Sequence, residues 1–116
     1  MTAVSELHKF LFDGVPLRGA LVRLTDDWQA LLQRRAASGG YPEAVTELLG
    51  EMTAAAVLLH SNIKFAGALV LQIFGDGPVK VAVAEVQPDM AFRATATVQG
   101  AVAPGVPLSH MVNVLG

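Results

Sequence analysis

Residues 42–62 constrain this chain more than any other stretch. Val45, Leu48, Leu49, Met52, Ala55, Ala56 and Leu59 recur at helical spacing. Ala54, Ala55, Ala56, Val57, Leu58 and Leu59 then run on without a polar interruption, so the second half of the segment is apolar nearly all round. A helix of that kind holds only when other elements enclose it on most sides. Pro42 suits the first helical position, where its missing N–H is no loss, and Glu43 follows in the turn where the helix dipole favours an anion. The spacing therefore predicts a long, buried helix over 42–62. Glu43, Glu47 and Glu51 lie four apart and form its solvated stripe.

The flanking segments must supply the surfaces that wrap this helix. Residues 7–24 read as two strands joined at Asp13-Gly14, since Gly tolerates positive φ and Asp bonds its own backbone. After Pro16, Leu17, Gly19, Leu21 and Arg23 alternate with Arg18, Ala20, Val22 and Leu24. Both faces are partly apolar, which predicts a strand covered on both sides. Thr25 offers a helix N-cap hydroxyl, and Asp26 and Asp27 fall in the first turn. Trp28, Leu31, Leu32 and Arg35 continue at i, i+3, i+4, i+7, the mark of a short amphipathic helix ending near Ser38-Gly39-Gly40.

Beyond the long helix the pattern is β. Residues 66–74 read as a strand, Gly75-Asp76-Gly77-Pro78 as a turn, and 79–86 as the returning arm, with Val79, Val81 and Val83 on one face. Pro88-Asp89 marks another turn. Phe92, Ala94, Ala96 and Val98 then alternate with Arg93, Thr95, Thr97 and Gln99, as in a half-exposed antiparallel strand. Residues 100–107 are a Pro/Gly-rich loop, 108–112 suggest a short helix, and Val114-Leu115-Gly116 reads as the approach to a further strand. The fold class expected is α+β: mostly antiparallel sheets packed with two helices, one long and buried.

Composition narrows the function classes. Apolar residues make up 53% and charged residues 16% of the 116, against averages of about 45–50% and about 25%. Eight basic and ten acidic residues leave a net charge of −2, which fits neither a disordered chain nor a basic nucleic-acid binder. The absence of cysteine excludes a disulfide scaffold, a thiolate zinc site and thiol chemistry within this sequence. The first ten residues have no cationic stretch leading into an apolar one, so they are not a secretory signal. The apolar run over 65–71 is far short of the ~20 residues that span a bilayer. A cytoplasmic domain with no membrane partner is expected. With few charges to cover it, such a chain either buries apolar area in a partner or exposes it for a purpose.

Local chemistry adds little. His8, His60 and His110 form no metal-ligand spacing, and His60 reads as a polar group near a helix C-terminus. Gly75-Asp76-Gly77-Pro78 lacks the Lys-Ser/Thr of a phosphate cradle and reads as a turn. Ser109-His110 has no Gly-x-Ser-x-Gly frame. Asp26, Asp27 and the three glutamates lack a second converging set, and Lys64 and Arg93 read as isolated surface cations. No residue is assigned a catalytic, cofactor-binding or metal role, and no enzyme activity is expected.

The strings His8-Lys9-Phe10, Val15-Pro16-Leu17-Arg18-Gly19, Tyr41-Pro42, Leu49-Gly50-Glu51, Ile63-Lys64-Phe65-Ala66-Gly67, Leu71-Gln72-Ile73-Phe74-Gly75-Asp76-Gly77-Pro78, Arg93-Ala94 and Val98-Gln99-Gly100 follow in order over nearly the whole chain. Together they resemble the N-terminal domain of the redox-regulated heat-shock chaperonin family of thirty-three kilodaltons. The stretch from Lys64-Phe65 to Pro78 is the most specific part, and the connection over 35–40 looks longer than the family's. The resemblance implies an ATP-independent holdase that binds unfolding proteins under oxidative stress, often as a homodimer; separately, sheet edges left open on the C-terminal side are expected to pair or swap between copies. The resemblance also implies a C-terminal module in which cysteine thiolates hold zinc, and whose oxidation to disulfides exposes the apolar surface. This sequence has no such cysteines, so no cofactor is expected on it. Residues 1–116 are then expected to be the N-terminal client-binding domain, cut short on its C-terminal side. A structural oligomer or a small-ligand-binding domain without catalysis remains the alternative.

Overall fold

The computed structural model describes residues 5–37, 39–64 and 66–113. The element order is β1 (Glu6–Leu11), β2 (Arg18–Arg23), α1 (Asp26–Ala36), α2 (Glu43–Asn62), β3 (Leu69–Phe74), β4 (Val79–Val86), β5 (Phe92–Val98) and α3 (Leu108–Val112). β1 and β2 form a two-stranded sheet, and β3, β4 and β5 form a three-stranded one; every pairing is antiparallel. The fold is α+β, with the long helix on the larger sheet and the short α3 over the residues expected to form a short helix. The expected strand approach at Val114-Leu115-Gly116 lies outside the described residues.

α2 is the centre of the core. Ala44, Val45, Leu48, Leu49, Met52, Ala56 and Val57 are buried on it, against Val79, Ala82, Ala84 and Val86 of β4, Ala96 of β5, and Met111 and Val112 of α3. Each large aliphatic side chain enclosed there contributes roughly 1.5–3 kcal/mol. Thr53, also fully enclosed, returns its hydroxyl proton to the Leu49 carbonyl at 2.7 Å, so it adds no orphaned donor. Two residues of the expected stripe lie outside the buried set: Leu59 is 46% exposed and Ala55 is half-buried. The three glutamates face solvent as expected.

The face of β4 is a second correction. A register shift between Val79 and Val81 moves the buried set from the expected Val79, Val81 and Val83 to Val79, Ala82, Ala84 and Val86. One extra residue in a strand with a period of two sends every later side chain to the opposite face. β5 has no such shift, and its alternation is the expected one, with Ala96 buried and Arg93, Thr95 and Thr97 outward.

The glycines of the β3–β4 turn serve packing. α3 comes down on this turn: the Gly77 N–H donates to the Val112 carbonyl at 3.0 Å, and a Cβ on Gly75 would stand 1.9 Å from that same oxygen. Two helix starts also differ from expectation. Thr25 precedes α1, but its hydroxyl makes no cap bond and is buried without a partner. Pro42 sits one position earlier than expected, as the residue before α2, and its carbonyl accepts from the Val45 and Thr46 N–H groups. The strand expected over 66–74 begins only at Leu69, because Gly67 is drawn to α2, where its carbonyl accepts from His60 Nε2 at 2.9 Å.

Candidate binding surface

The β1–β2 hairpin departs furthest from expectation and supplies the candidate site. Neither strand is covered on both sides. Leu7 and Val22, a register pair at the base, pack on the core. Toward the tip, Phe10, Leu11, Phe12, Val15 and Leu17 are all exposed, with Leu11 at 78% and Leu17 at 59%. Backbone pairing and water together explain how a strand can stand in solvent: the inward N–H and C=O groups pair across the hairpin and the outward ones are open to water.

Local geometry holds the tip in shape. Gly14 has φ +78°, a value L side chains rarely adopt, and the Phe12 N–H donates to the Leu17 carbonyl at 3.0 Å to close the loop. Phe10 faces Gly19 across the sheet, and its ring lies so close that a Cβ on Gly19 would stand 2.5 Å from it. Phe12 meets Phe10 edge to face at 5.7 Å. The exposed aromatics are therefore ordered against one another and against the backbone, a preformed apolar edge.

The hairpin is tied to the end of α2. The Lys9 ammonium donates to the Ser61 carbonyl, where the helix dipole favours a cation. Between the two runs a groove of about 540 Å³, lined by Lys9, Phe10, Leu11, Arg18, Gly19, Ser61, Asn62, Ile63 and Lys64. Three cations line it, and no carboxylate does. Lys64, read from the sequence as an isolated cation, is thus brought beside Lys9 and Arg18. No sequence signal could have grouped them, since Lys9 and Lys64 are far apart in the chain and meet only through tertiary packing.

The other candidate residues stay apart. His8 lies 3.2 Å from Glu6 on exposed β1, His60 is buried in α2, and His110 is exposed on α3 beside Ser109. Among the described residues, no three His, Asp or Glu cluster as a metal site. Arg93 pairs with Glu85 at 2.9 Å, its register partner across β4 and β5. Arg35 stacks over the Tyr41 ring at 4.2 Å, and the Tyr41 hydroxyl accepts the Ala96 N–H at 3.1 Å, which joins α1 to the outer edge of β5. No helix among the described residues is long and apolar enough to cross a membrane.

Fold and surface together define a small α+β domain that presents ordered apolar side chains to solvent on a hairpin. Residues 5–115 match the family model described as Hsp33 protein, and the chain belongs to that family. It is 50% identical over 108 residues to the 33 kDa chaperonin of Chromobacterium violaceum, and 40% identical over 111 residues to that of Pectobacterium atrosepticum. These alignments cover 93% and 96% of this chain but 35% and 37% of the relatives, so the chain spans little more than a third of their length. The family resemblance carried by the sequence motifs is confirmed.

Proposed function

We propose that the chain is a client-binding domain of an ATP-independent holdase chaperone, one that captures non-native proteins rather than transforming a substrate. The observation that carries this reading is the uncovered hairpin tip, whose contiguous large apolar residues are kept ordered and accessible. Exposed apolar patches on soluble domains mark interaction sites. The reading draws further support from the relatives' name, 33 kDa chaperonin.

Redox control by zinc-bound cysteines, which the resemblance implies, has no thiolate to draw on here. Nor do the described residues group His, Asp or Glu as zinc would require. In this proposal the sensor is therefore encoded outside these 116 residues, and the part played by this chain is to offer surface when that control permits it. The setting is the cytoplasm, and the active form is a homodimer.

The test is suppression of aggregation, followed by light scattering as a heat-labile client enzyme is warmed with the chain. Replacing Leu11, Phe12 and Leu17 together by Ser should remove most of the suppression while leaving the circular-dichroism melt unchanged, because all three side chains are exposed. Full suppression by that triple variant would place client binding elsewhere. The uncovered hairpin also favours a structural oligomer in which copies bury these residues in one another. In that case an apolar-sensitive dye would stay dark in the assembled state at sedimentation equilibrium.

A further inference from the structure

We propose that the groove between the hairpin and the C-terminal end of α2 selects, among non-native chains, extended segments in which carboxylates flank apolar side chains. This rests on the client-binding reading above and names the chemistry of the client segment.

The argument is one of charge complementarity on an apolar floor. Phe10, Leu11 and Ile63 supply exposed apolar surface, and Lys9, Arg18 and Lys64 ring it. The whole chain has a net charge of −2, yet this groove has three cations and no carboxylate on its lining. The Arg93–Glu85 ion pair and the His8–Glu6 contact both lie outside the groove lining. Lys9 bonds the Ser61 carbonyl, whose partial charge at the end of α2 offsets only part of the full positive charge. The side chains of the lining therefore carry three positive charges, which the carbonyl end of α2 offsets only in part, and they stand where apolar side chains would dock.

The shape suits an extended segment. The walls are a β-hairpin on one side and a helix end on the other, and the groove runs between them with a volume of about 540 Å³. That is room for a few side chains rather than a folded surface. Apolar contact with Phe10, Leu11 and Ile63 supplies affinity without regard to sequence, while the rim cations steer encounter and penalise segments rich in Lys or Arg. A polypeptide caught before it folds exposes such mixed segments, because the carboxylates that will cover its surface still neighbour the residues that will form its core.

The experiment uses fluorescent peptides that share one set of Leu and Phe residues and carry Asp, Ser or Lys at the positions between them. They are titrated with the 116-residue chain and followed by polarisation. The Asp peptide should bind about tenfold more tightly than the Ser peptide, as three rim-exposed pairs of modest strength would give, and the Lys peptide least tightly. The differences should shrink as salt rises to about 0.3 M, where the screening length falls well below 10 Å. In the double variant Arg18→Glu, Lys64→Glu the order should reverse, with the Ser peptide nearly unaffected. Equal binding of all three peptides, or an order that the double variant leaves unaltered, would overturn the charge preference. If the Ser peptide binds well in that outcome, apolar client capture still stands. If no peptide binds and the unsubstituted chain fails to suppress aggregation, both readings fall.

Discussion

Leu21 in β2 is 61% exposed, whereas Leu49 in α2 is 1% exposed. The contrast extends to the strands around them. The β1–β2 hairpin and the β3–β4–β5 sheet are both antiparallel and both rich in Leu, Val and Ala. One has α2 laid along a face, so that Val79, Ala82, Ala84 and Val86 are sealed. The other meets the core only at Leu7 and Val22 and extends its tip beyond. Apolar content thus says how much surface an element must hide or display, and the neighbouring element says which. In this chain the larger sheet with α2 is a scaffold, and the hairpin is what the scaffold holds out.

Mutations can break that division of labour. The largest effect is expected at Leu49→Ala, which opens a cavity in the core cluster and should lower unfolding free energy by about 2–5 kcal/mol in urea titration. A loss below about 1 kcal/mol would mean that the core is not where the scaffold's stability resides. Gly75→Ala comes next. Its Cβ would collide with the Val112 carbonyl, and α3 must shift or detach, at a cost of about 1–3 kcal/mol. An unchanged melting temperature there would show that α3 does not rest on the β3–β4 turn. The smallest change is expected at Leu21→Ala, within about 0.5 kcal/mol of the parent, since its side chain stands in solvent. Were it to cost as much as Leu49→Ala, the hairpin would be covered in solution and the comparison would fail.

Much of the scaffold was legible because its signals are local. The 3.6-residue period of Val45, Leu48, Leu49 and Met52 announces α2, and the two-residue alternation from Phe92 to Val98 announces β5 with its correct face. Asp13-Gly14 placed the hairpin turn, where Gly14 takes positive φ. The misreadings share one cause. The shift between Val79 and Val81 leaves no mark on a run of alternating Val and Ala, so the buried face of β4 was assigned to the wrong valines. Apolar residues on both faces of β2 looked like double cover, because a strand that hides its side chains and one that displays them can have the same composition. The motif strings went further than any local pattern and assigned the family, but they did not single out Lys9, Arg18 and Lys64 as one group.

Secondary structure here follows from periodicity and turn chemistry, which act between residues a few positions apart and are written in the chain itself. Family membership was readable for a related reason, since ordered motifs survive in linear form. Exposure of the hairpin tip, the sealed face of β4 and the gathering of three cations around Phe10 and Ile63 were settled by how α2 lies between the two sheets. Those outcomes depend on contacts between residues distant in sequence, and no local rule encodes the position of a neighbour that the chain has yet to meet.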